Sequence, residues 1–317
     1  MALPPLLKDS LALPVIGSPM FIVSGPELVL AQCKNGIVGS FPALNARPKE
    51  LLDEWLARIT SELAAERVAH PERKIAPFAV NQIVHASNDR LDHDVALCVK
   101  HQVPLLITSL RPPGDVVKEA HSYGGIVFHD VISVRHAEKA LEHGVDGLIL
   151  VCAGAGGHAG TLSPFALVSE VRKFWPGPIA LSGSISRGEQ ILAAQAMGAD
   201  LAYIGTRFIA TTEAQASDAY KQAIINSAAA DIVYTPYFTG VHGNYLRSSI
   251  FAQGLNPDDL PVRDKTAMSF GSGTAKAWRD IWGSGQGIGT IDAVRPVAEV
   301  VAQLASEYTA ARERLGC

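Results

Sequence analysis

The sequence predicts one large α/β domain built as a (β/α)8 TIM barrel, and three observations lead to that fold. Short apolar runs alternate with longer amphipathic segments from the N-terminus to about residue 228. Eight such runs occur, each followed by a helical pattern, which calls for a parallel sheet because parallel neighbours need crossover connections. Runs such as 148–151 are apolar throughout, as expected of strands covered on both faces. Eight units of this size match a barrel of about 250 residues, with a doubly wound open sheet as the alternative.

The boundaries of these units follow from helix start and stop signals. Ser163 and Pro164 have the pattern of an N-cap followed by a first-turn proline. Ser186 and Glu189 have the spacing of a capping box, and Gly198 supplies a C-terminal glycine. The predicted strands span residues 13–17, 36–41, 77–81, 105–109, 125–129, 147–151, 178–182 and 201–205.

The pattern changes after the predicted barrel of residues 1–228. Residues 229–290 are rich in glycine and proline with aromatic residues interleaved, so we expect an inserted lid or substrate-binding segment. Residues 291–317 return to helical spacing and predict a final helix that packs on the barrel. An aromatic cluster in the inserted segment could wall a pocket or serve packing: Tyr234, Tyr237, Phe238, His242 and Tyr245.

Composition narrows the class of protein. The chain has 317 residues, 48% of them hydrophobic and 18% charged, with a net charge of −4 and scattered basic residues, which disfavours nucleic-acid binding. Its four cysteines are widely spaced, and no His or Cys clustering indicates a metal site. No apolar run approaches the roughly 18 residues of a membrane span. We therefore expect a cytoplasmic protein that binds a small molecule; the oligomeric state is left open.

A glycine-rich loop with one histidine follows the sixth predicted strand. Residues 152–160 read CAGAGGHAG, and Gly154, Gly156 and Gly157 allow positive φ and close approach of a ligand to the backbone. His158 is the one group of the loop whose unperturbed pKa, about 6.5, lies close to neutral pH, which suits proton transfer. This segment alone is equally compatible with a flexible connector.

Small residues follow the seventh and eighth predicted strands, where barrels often bind phosphate. Ser182, Gly183 and Ser184 follow the seventh strand, and Gly205 and Thr206 follow the eighth. Glycines let phosphate oxygens reach main-chain amides, while the hydroxyls can donate hydrogen bonds. The pattern indicates a phosphate site.

Polar and flexible side chains follow other predicted strands at the same end of the barrel. Met20 comes after the first strand, and Asn81, Thr108 and His129 lie at the ends of the third, fourth and fifth strands. We expect these residues to line a pocket for a heteroaromatic ring, while Met20 is equally compatible with a place in the core.

Taken together, these elements resemble the nitronate monooxygenase family over nearly the whole chain. The resemblance rests on Pro19 and Met20, Asn81, the 156–158 loop, residues 182–184 and residues 205–206. It implies FMN as cofactor, with its phosphate at Ser182, Gly183, Ser184, Gly205 and Thr206. It also implies that the ring lies over Met20, Asn81 and the 154–158 loop. With a flavin in the pocket, His129 is a candidate contact, because a cationic or donor group near the flavin N1 and C2 carbonyl would stabilise reduced, anionic flavin. Residues 284–287, including Gln286 and Gly287, resemble a family segment that approaches the flavin, whereas Ser18 and Ser184 depart from the family pattern.

The function that this resemblance implies is the oxidation of alkyl nitronates or nitroalkanes by O2 to a carbonyl compound and nitrite, with His158 as general base. Two alternatives stay open. One is an FMN-dependent NAD(P)H:quinone reductase or an enoyl-ACP reductase of the FabK type. The other is a non-catalytic barrel that binds a phosphorylated metabolite.

Overall fold

Eight parallel strands form the barrel in the computed structural model, which describes residues 3–260 and 280–317. The strands are β1 (Val15–Gly17), β2 (Gly39–Pro42), β3 (Phe78–Val84), β4 (Leu105–Leu110), β5 (Ile126–Val131), β6 (Gly147–Val151), β7 (Gly157–His158), β8 (Ile179–Ser182), β9 (Leu201–Ile204), β10 (Ile232–Thr235) and β11 (Gly243–Leu246). The strand order in the barrel is β1-β9-β8-β6-β5-β4-β3-β2, and a parallel bridge between Ile16 and Val38 joins the first strand to the second and closes the sheet. The predicted barrel is confirmed, and each predicted strand overlaps an observed one.

Helices surround this barrel and begin at the predicted signals, with one correction. The predicted capping box at Ser186 and Glu189 is wrong, because Gln190 Oε1 accepts hydrogen bonds from the Ser186 and Arg187 amides while Glu189 pairs with Arg187. The helices are α1 (Pro5–Lys8), α2 (Pro26–Lys34), α3 (Leu51–Ala69), α4 (Leu91–Lys100), α5 (Gly114–His121), α6 (Val134–Glu142), α7 (Pro164–Arg172), α8 (Gly188–Met197), α9 (Thr206–Ile209), α10 (Asp218–Ile225), α11 (Arg247–Ala252) and α12 (Val297–Leu315), with 3-10 turns at Ala43–Asn45, Ala229–Asp231 and Gln286–Thr290.

Side chains of the barrel strands alternate between two apolar clusters. Ile107 and Phe128 belong to the cluster inside the barrel. Leu106 and Val127, their sequence neighbours, belong to the cluster between the sheet and the helices. Because successive residues of a strand point to opposite faces, the same alternation decides which side chains at the strand ends reach the barrel mouth.

The C-terminal part packs on the barrel. Strands β10, β11 and β7 form a three-stranded antiparallel sheet, so the inserted segment joins the glycine-rich loop. Helix α12 lies on α8, where the Gly188 amide donates to Glu307 Oε2 and Tyr308 donates to Gln195 Oε1. Residues 261–279 of the predicted 229–290 segment lie outside the described residues. The described ranges contain neither a helix apolar and long enough to cross a bilayer nor a group of three metal-ligating side chains.

Candidate functional site

A cavity of about 690 Å³ opens at the carboxyl ends of the barrel strands. It brings together thirteen of the fifteen site residues predicted from the sequence and leaves out Thr108 and Gln286. Residues distant in sequence therefore meet in one space. The thirteen are Met20, Asn81, His129, Gly154, Gly156, Gly157, His158, Ser182, Gly183, Ser184, Gly205, Thr206 and Gly287.

Thr108 and His129 occupy the wrong face of their strands for the predicted side-chain contacts. Thr108 is fully buried and points to the same outer face of its strand as Leu106. His129 likewise points to the same outer face as Val127. The two side chains are hydrogen bonded to each other, with Thr108 Oγ1 2.8 Å from His129 Nδ1. Burial and nearby histidines lower the pKa of His129 to about 4, so its imidazole is neutral at neutral pH. His129 therefore borders the cavity as a neutral imidazole.

The turns after β8 and β9 form a cradle of free amides. The amides of Gly183, Ser184, Gly205 and Thr206 donate to no other described residue. Gly183 has φ of 137°, and a Cβ atom there would lie 2.7 Å from the Ala153 carbonyl oxygen, so glycine is required. Convergent free amides at such a turn are a typical phosphate site, and these residues fit the phosphate of a mononucleotide.

The glycine-rich loop packs tightly against this cradle. Gly154 has φ of 83°, and a Cβ atom on it would collide with Ser184 Oγ. The Gln286 amide donates to the Gly154 carbonyl oxygen at 2.9 Å, and the Gly285 amide donates to Thr206 Oγ1 at 2.9 Å. Gln286 therefore holds the loop through its main chain, and its side chain is exposed instead of lining the cavity.

His158 lies in the short strand β7 and is fixed by the inserted segment. Its Nε2 atom is 2.9 Å from Thr239 Oγ1, a contact between residues 81 positions apart in the chain. Burial lowers the pKa of His158 to about 4, which makes the neutral imidazole the form present at neutral pH. The sequence analysis did not single out Thr239, because nothing local relates it to the histidine.

Three bulky or polar residues of the cavity have left-handed backbone conformations. Ile22, Leu110 and Ser184 have φ of 59°, 78° and 57°, and all three line the cavity. A left-handed conformation costs a non-glycine residue about 1–2 kcal/mol. Such strain concentrates at functional sites, where the surrounding structure maintains it.

The aromatic cluster of the inserted segment serves packing. Tyr234 stacks on His242 with ring centroids 5.1 Å apart, and Phe238 contacts both Tyr237 and Tyr245 edge to face. The Tyr234 hydroxyl donates to the carbonyl oxygen of Ala159, next to His158. None of the five residues lines the cavity, so the cluster supports the histidine loop from outside the cavity.

The sequence did not point to a set of charged side chains around the cavity. Among the described residues of the lining Asp130 is the one acidic residue, and burial raises its pKa to about 7. Because successive residues of a strand point to opposite faces, the alternation along β5 distinguishes Asp130 from its neighbour His129. Four cations also line the cavity and make no ion pair with any described carboxylate: Arg47, Arg111, Arg135 and Lys139.

Comparison with known proteins agrees with this architecture. The nitronate monooxygenase family model matches residues 5–307. A nitronate monooxygenase of Paraburkholderia phytofirmans is 26% identical over 351 aligned positions, covering 95% of this chain and 94% of that protein. The chain spans between 61% and 94% of the length of the curated relatives it matches.

Two solved structures share the fold at 23% sequence identity. One is a nitroalkane oxidase of Streptomyces ansochromogenes, with a TM-score of 0.79 and coverage of 98% of this chain and 99% of that one. The other is FabK of Thermotoga maritima, with a TM-score of 0.76 and coverage of 98% and 96%. The same barrel therefore occurs in proteins with different names.

Proposed function

Because the chain belongs to the nitronate monooxygenase family of oxidoreductases, we propose that it uses FMN and O2 to oxidise alkyl nitronates, or nitroalkanes after deprotonation, to a carbonyl compound and nitrite. The observation that carries the proposal is the position of His158 in the same cavity as a cradle of free amides. One ligand can thus be held by its phosphate while its ring reaches the histidine. FMN, when bound, supplies the electron transfer and the reaction with O2.

The proposed cofactor contacts follow from the cavity lining. The phosphate would accept hydrogen bonds from the cradle amides, with the Ser182 and Ser184 hydroxyls beside them. The ring would lie over Met20, Asn81 and the glycine-rich loop. A Cβ atom on Gly205 would be 3.6 Å from Met20 Sδ, so the methionine adjoins the cradle. Gly157 leaves open space where a Cβ atom would be, whereas Gly154, Gly156 and Gly287 have no Cβ because neighbouring protein atoms pack closely against them.

His158 is proposed to contact the reacting nitro group. A neutral imidazole can accept a proton or donate one hydrogen bond, and Thr239 holds the ring in place. A group with a pKa of about 4 is a weak base at neutral pH, since basicity falls with pKa. A negatively charged ligand would raise the pKa of His158, because an opposite charge favours the protonated form.

An absorbance spectrum and a nitrite assay test this function. We expect the purified protein to show a flavin band near about 450 nm and to release nitrite from preformed nitronates. His158→Asn should reduce turnover of either substrate, whereas His70→Asn, at an exposed site, serves as the matched control. A colourless protein that takes up no FMN, or native enzyme without nitrite release, would refute the proposal.

A reductase on the same scaffold is the second candidate, and the four unpaired cations favour it. Arg47 follows β2, Arg111 follows β4, and Arg135 and Lys139 lie on α6, whereas the amide cradle follows β8 and β9. In the strand order β6 lies between β5 and β8, and β1 lies between β2 and β9, so none of these cations follows a strand next to the two cradle strands. Their charge suits the pyrophosphate of NADH or NADPH.

Anaerobic mixing with NADPH separates the two candidates. Rapid bleaching of the flavin band would favour the reductase. In that case the double variant Arg135→Gln/Lys139→Gln should weaken NADPH binding by about 10-fold or more, since each lost charge contact is worth about 1.5–3 kcal/mol before solvent screening. Lys118→Gln, an exposed site on α5, is the control.

A further inference from the structure

The turn after β1, residues 18–24, forms one wall of the cavity in an unfavourable backbone conformation. Residues 18–23 all line the cavity, and Ile22 among them has φ of 59°. A β-branched residue is a genuine outlier in the left-handed region, because its Cβ atom comes too close to the following carbonyl oxygen. Such a conformation persists only where the surrounding structure maintains it.

Asn45 holds this β1 turn through its side-chain amide, from the 3-10 turn that follows β2. Its Oδ1 atom accepts a hydrogen bond from the Ile22 amide at 3.0 Å. Its Nδ2 group donates to the carbonyl oxygens of Met20 at 3.0 Å and of Ser24 at 2.8 Å. One side chain therefore binds the strained residue and the main chain on both sides of it, with its acceptor and both donor hydrogens in use.

The 3-10 turn that carries Asn45 is itself anchored by a residue just before α4. Arg90 donates from Nη1 to the Ala46 carbonyl oxygen at 2.8 Å and from Nη2 to that of Ala43 at 3.3 Å. The same Nη2 group lies 3.1 Å from Oδ1 of Asp94, whose side chain is fully buried. The 3-10 turn is therefore fixed independently of the β1 turn that Asn45 holds.

The β1 turn adjoins the amide cradle and the cavity edge. A Cβ atom on Gly205 would be 3.6 Å from Met20 Sδ. The Arg47 guanidinium lies over the Phe21 ring, 5.0 Å from its centroid, and both residues line the cavity. A change in the backbone of the β1 turn would move Met20 and Phe21 relative to the cradle. Asn45 itself does not line the cavity, so any effect it has on a ligand passes through this turn.

We propose that Asn45 is a positioning residue of the cofactor site, which keeps the β1 turn in the left-handed conformation that places Met20 beside the cradle. Without its amide the turn relaxes out of that region, and the conformation that binds the cofactor becomes a minority. The apparent affinity for FMN then falls in proportion to the fraction that remains competent. This inference rests on the proposed function and adds to it a residue outside the cavity.

Two substitutions of Asn45 test the role of its donor hydrogens. Asn45→Ala removes all three hydrogen bonds to the β1 turn. Asn45→Asp keeps nearly the same size and an acceptor for Ile22, but a carboxylate cannot donate to the two carbonyl oxygens. FMN titration should show a dissociation constant about 10-fold higher for both variants than for the native protein. Asn35→Ala, which removes a side-chain bond to the Ala31 carbonyl oxygen away from the cavity lining, is the matched control.

The substitution Ile22→Gly separates positioning from a general loss of stability. Glycine adopts the φ of 59° observed here without strain, so the turn then depends less on Asn45. In the Ile22→Gly background, Asn45→Ala should raise the FMN dissociation constant by about threefold or less, against about 10-fold in the native sequence. Hydrogen exchange supplies a readout that needs no cofactor. The Ile22 amide should exchange faster in Asn45→Ala than in the native protein, and at the native rate in Asn35→Ala.

Each measurement can contradict the assignment. Native FMN affinity in Asn45→Asp, an equal loss of affinity in both backgrounds, or an unchanged exchange rate at Ile22 would overturn the positioning role of Asn45. A native protein that takes up no FMN would instead refute the proposed function, and exchange at Ile22 would still test whether Asn45 holds the β1 turn.

Discussion

Gly243 of β11 pairs with His158 of β7 in an antiparallel register, so the inserted segment and the glycine-rich loop form one sheet. Thr239, in the connection before β11, then reaches the imidazole. The position of the histidine consequently depends on residues more than eighty positions away from it.

Gly154→Ala should disrupt the site more than Gly157→Ala. Both glycines have positive φ, of 83° and 65°, and alanine costs about 1–2 kcal/mol in such a conformation. Only at Gly154 would the new methyl group also meet a neighbour, Ser184 Oγ, whereas at Gly157 it would enter open space. Thermal unfolding and FMN titration should show the larger loss for Gly154→Ala; equal losses would mean that backbone strain alone matters.

Ser184→Gly should stabilise the protein by up to about 1 kcal/mol, because glycine adopts the φ of 57° observed here without strain. The amide of the residue remains, so FMN affinity should fall little. Ser184→Ala keeps the strain and removes the hydroxyl, which makes it the matched comparison. Urea unfolding and FMN binding check both variants, and a Ser184→Gly variant less stable than Ser184→Ala would contradict the prediction.

Thr239→Val should weaken the reaction without preventing folding. The substitution removes the hydrogen bond to His158 Nε2, which is worth about 1 kcal/mol and corresponds to about a fivefold loss in kcat/KM. Thr212→Val, at an exposed threonine that does not line the cavity, is the control. Equal kinetic constants for Thr239→Val and the native enzyme would show that the imidazole needs no such support.

His129 should make the protein sensitive to acid. Its folded pKa of about 4 lies below the unfolded value of about 6.5. The contribution of His129 to the unfolding free energy is therefore fully present above about pH 6.5 and is lost as the pH falls toward about 4. From neutral pH to about pH 5 the native protein should lose about 2 kcal/mol of unfolding free energy on this account. His129→Gln should abolish this loss of unfolding free energy, whereas His70→Gln, at an exposed site, should leave it unchanged. Urea unfolding at both pH values measures the difference.

The site could be predicted in part because the carboxyl ends of all the parallel strands lie at the same end of the barrel. Once residues 182–184 and 205–206 were assigned to strand ends, their proximity followed from the topology. Thr108 does not line the cavity, since the strand period of two directs Ser109 there, whereas both His129 and Asp130 of β5 border it. That alternation is present in the sequence, but the continuously apolar strands of a parallel barrel do not reveal which face is inward.

The sequence by itself determined the eight βα units, the glycine-rich loop and the turns that carry free amides, because these depend on local periodicity and on residues that permit special φ values. The tertiary structure decided which side chains, Asp130 among them, line the cavity and how β11 and Thr239 fix His158. The physical reason is that burial and long-range hydrogen bonds set the pKa and orientation of each group, and both exist only after distant segments have packed together.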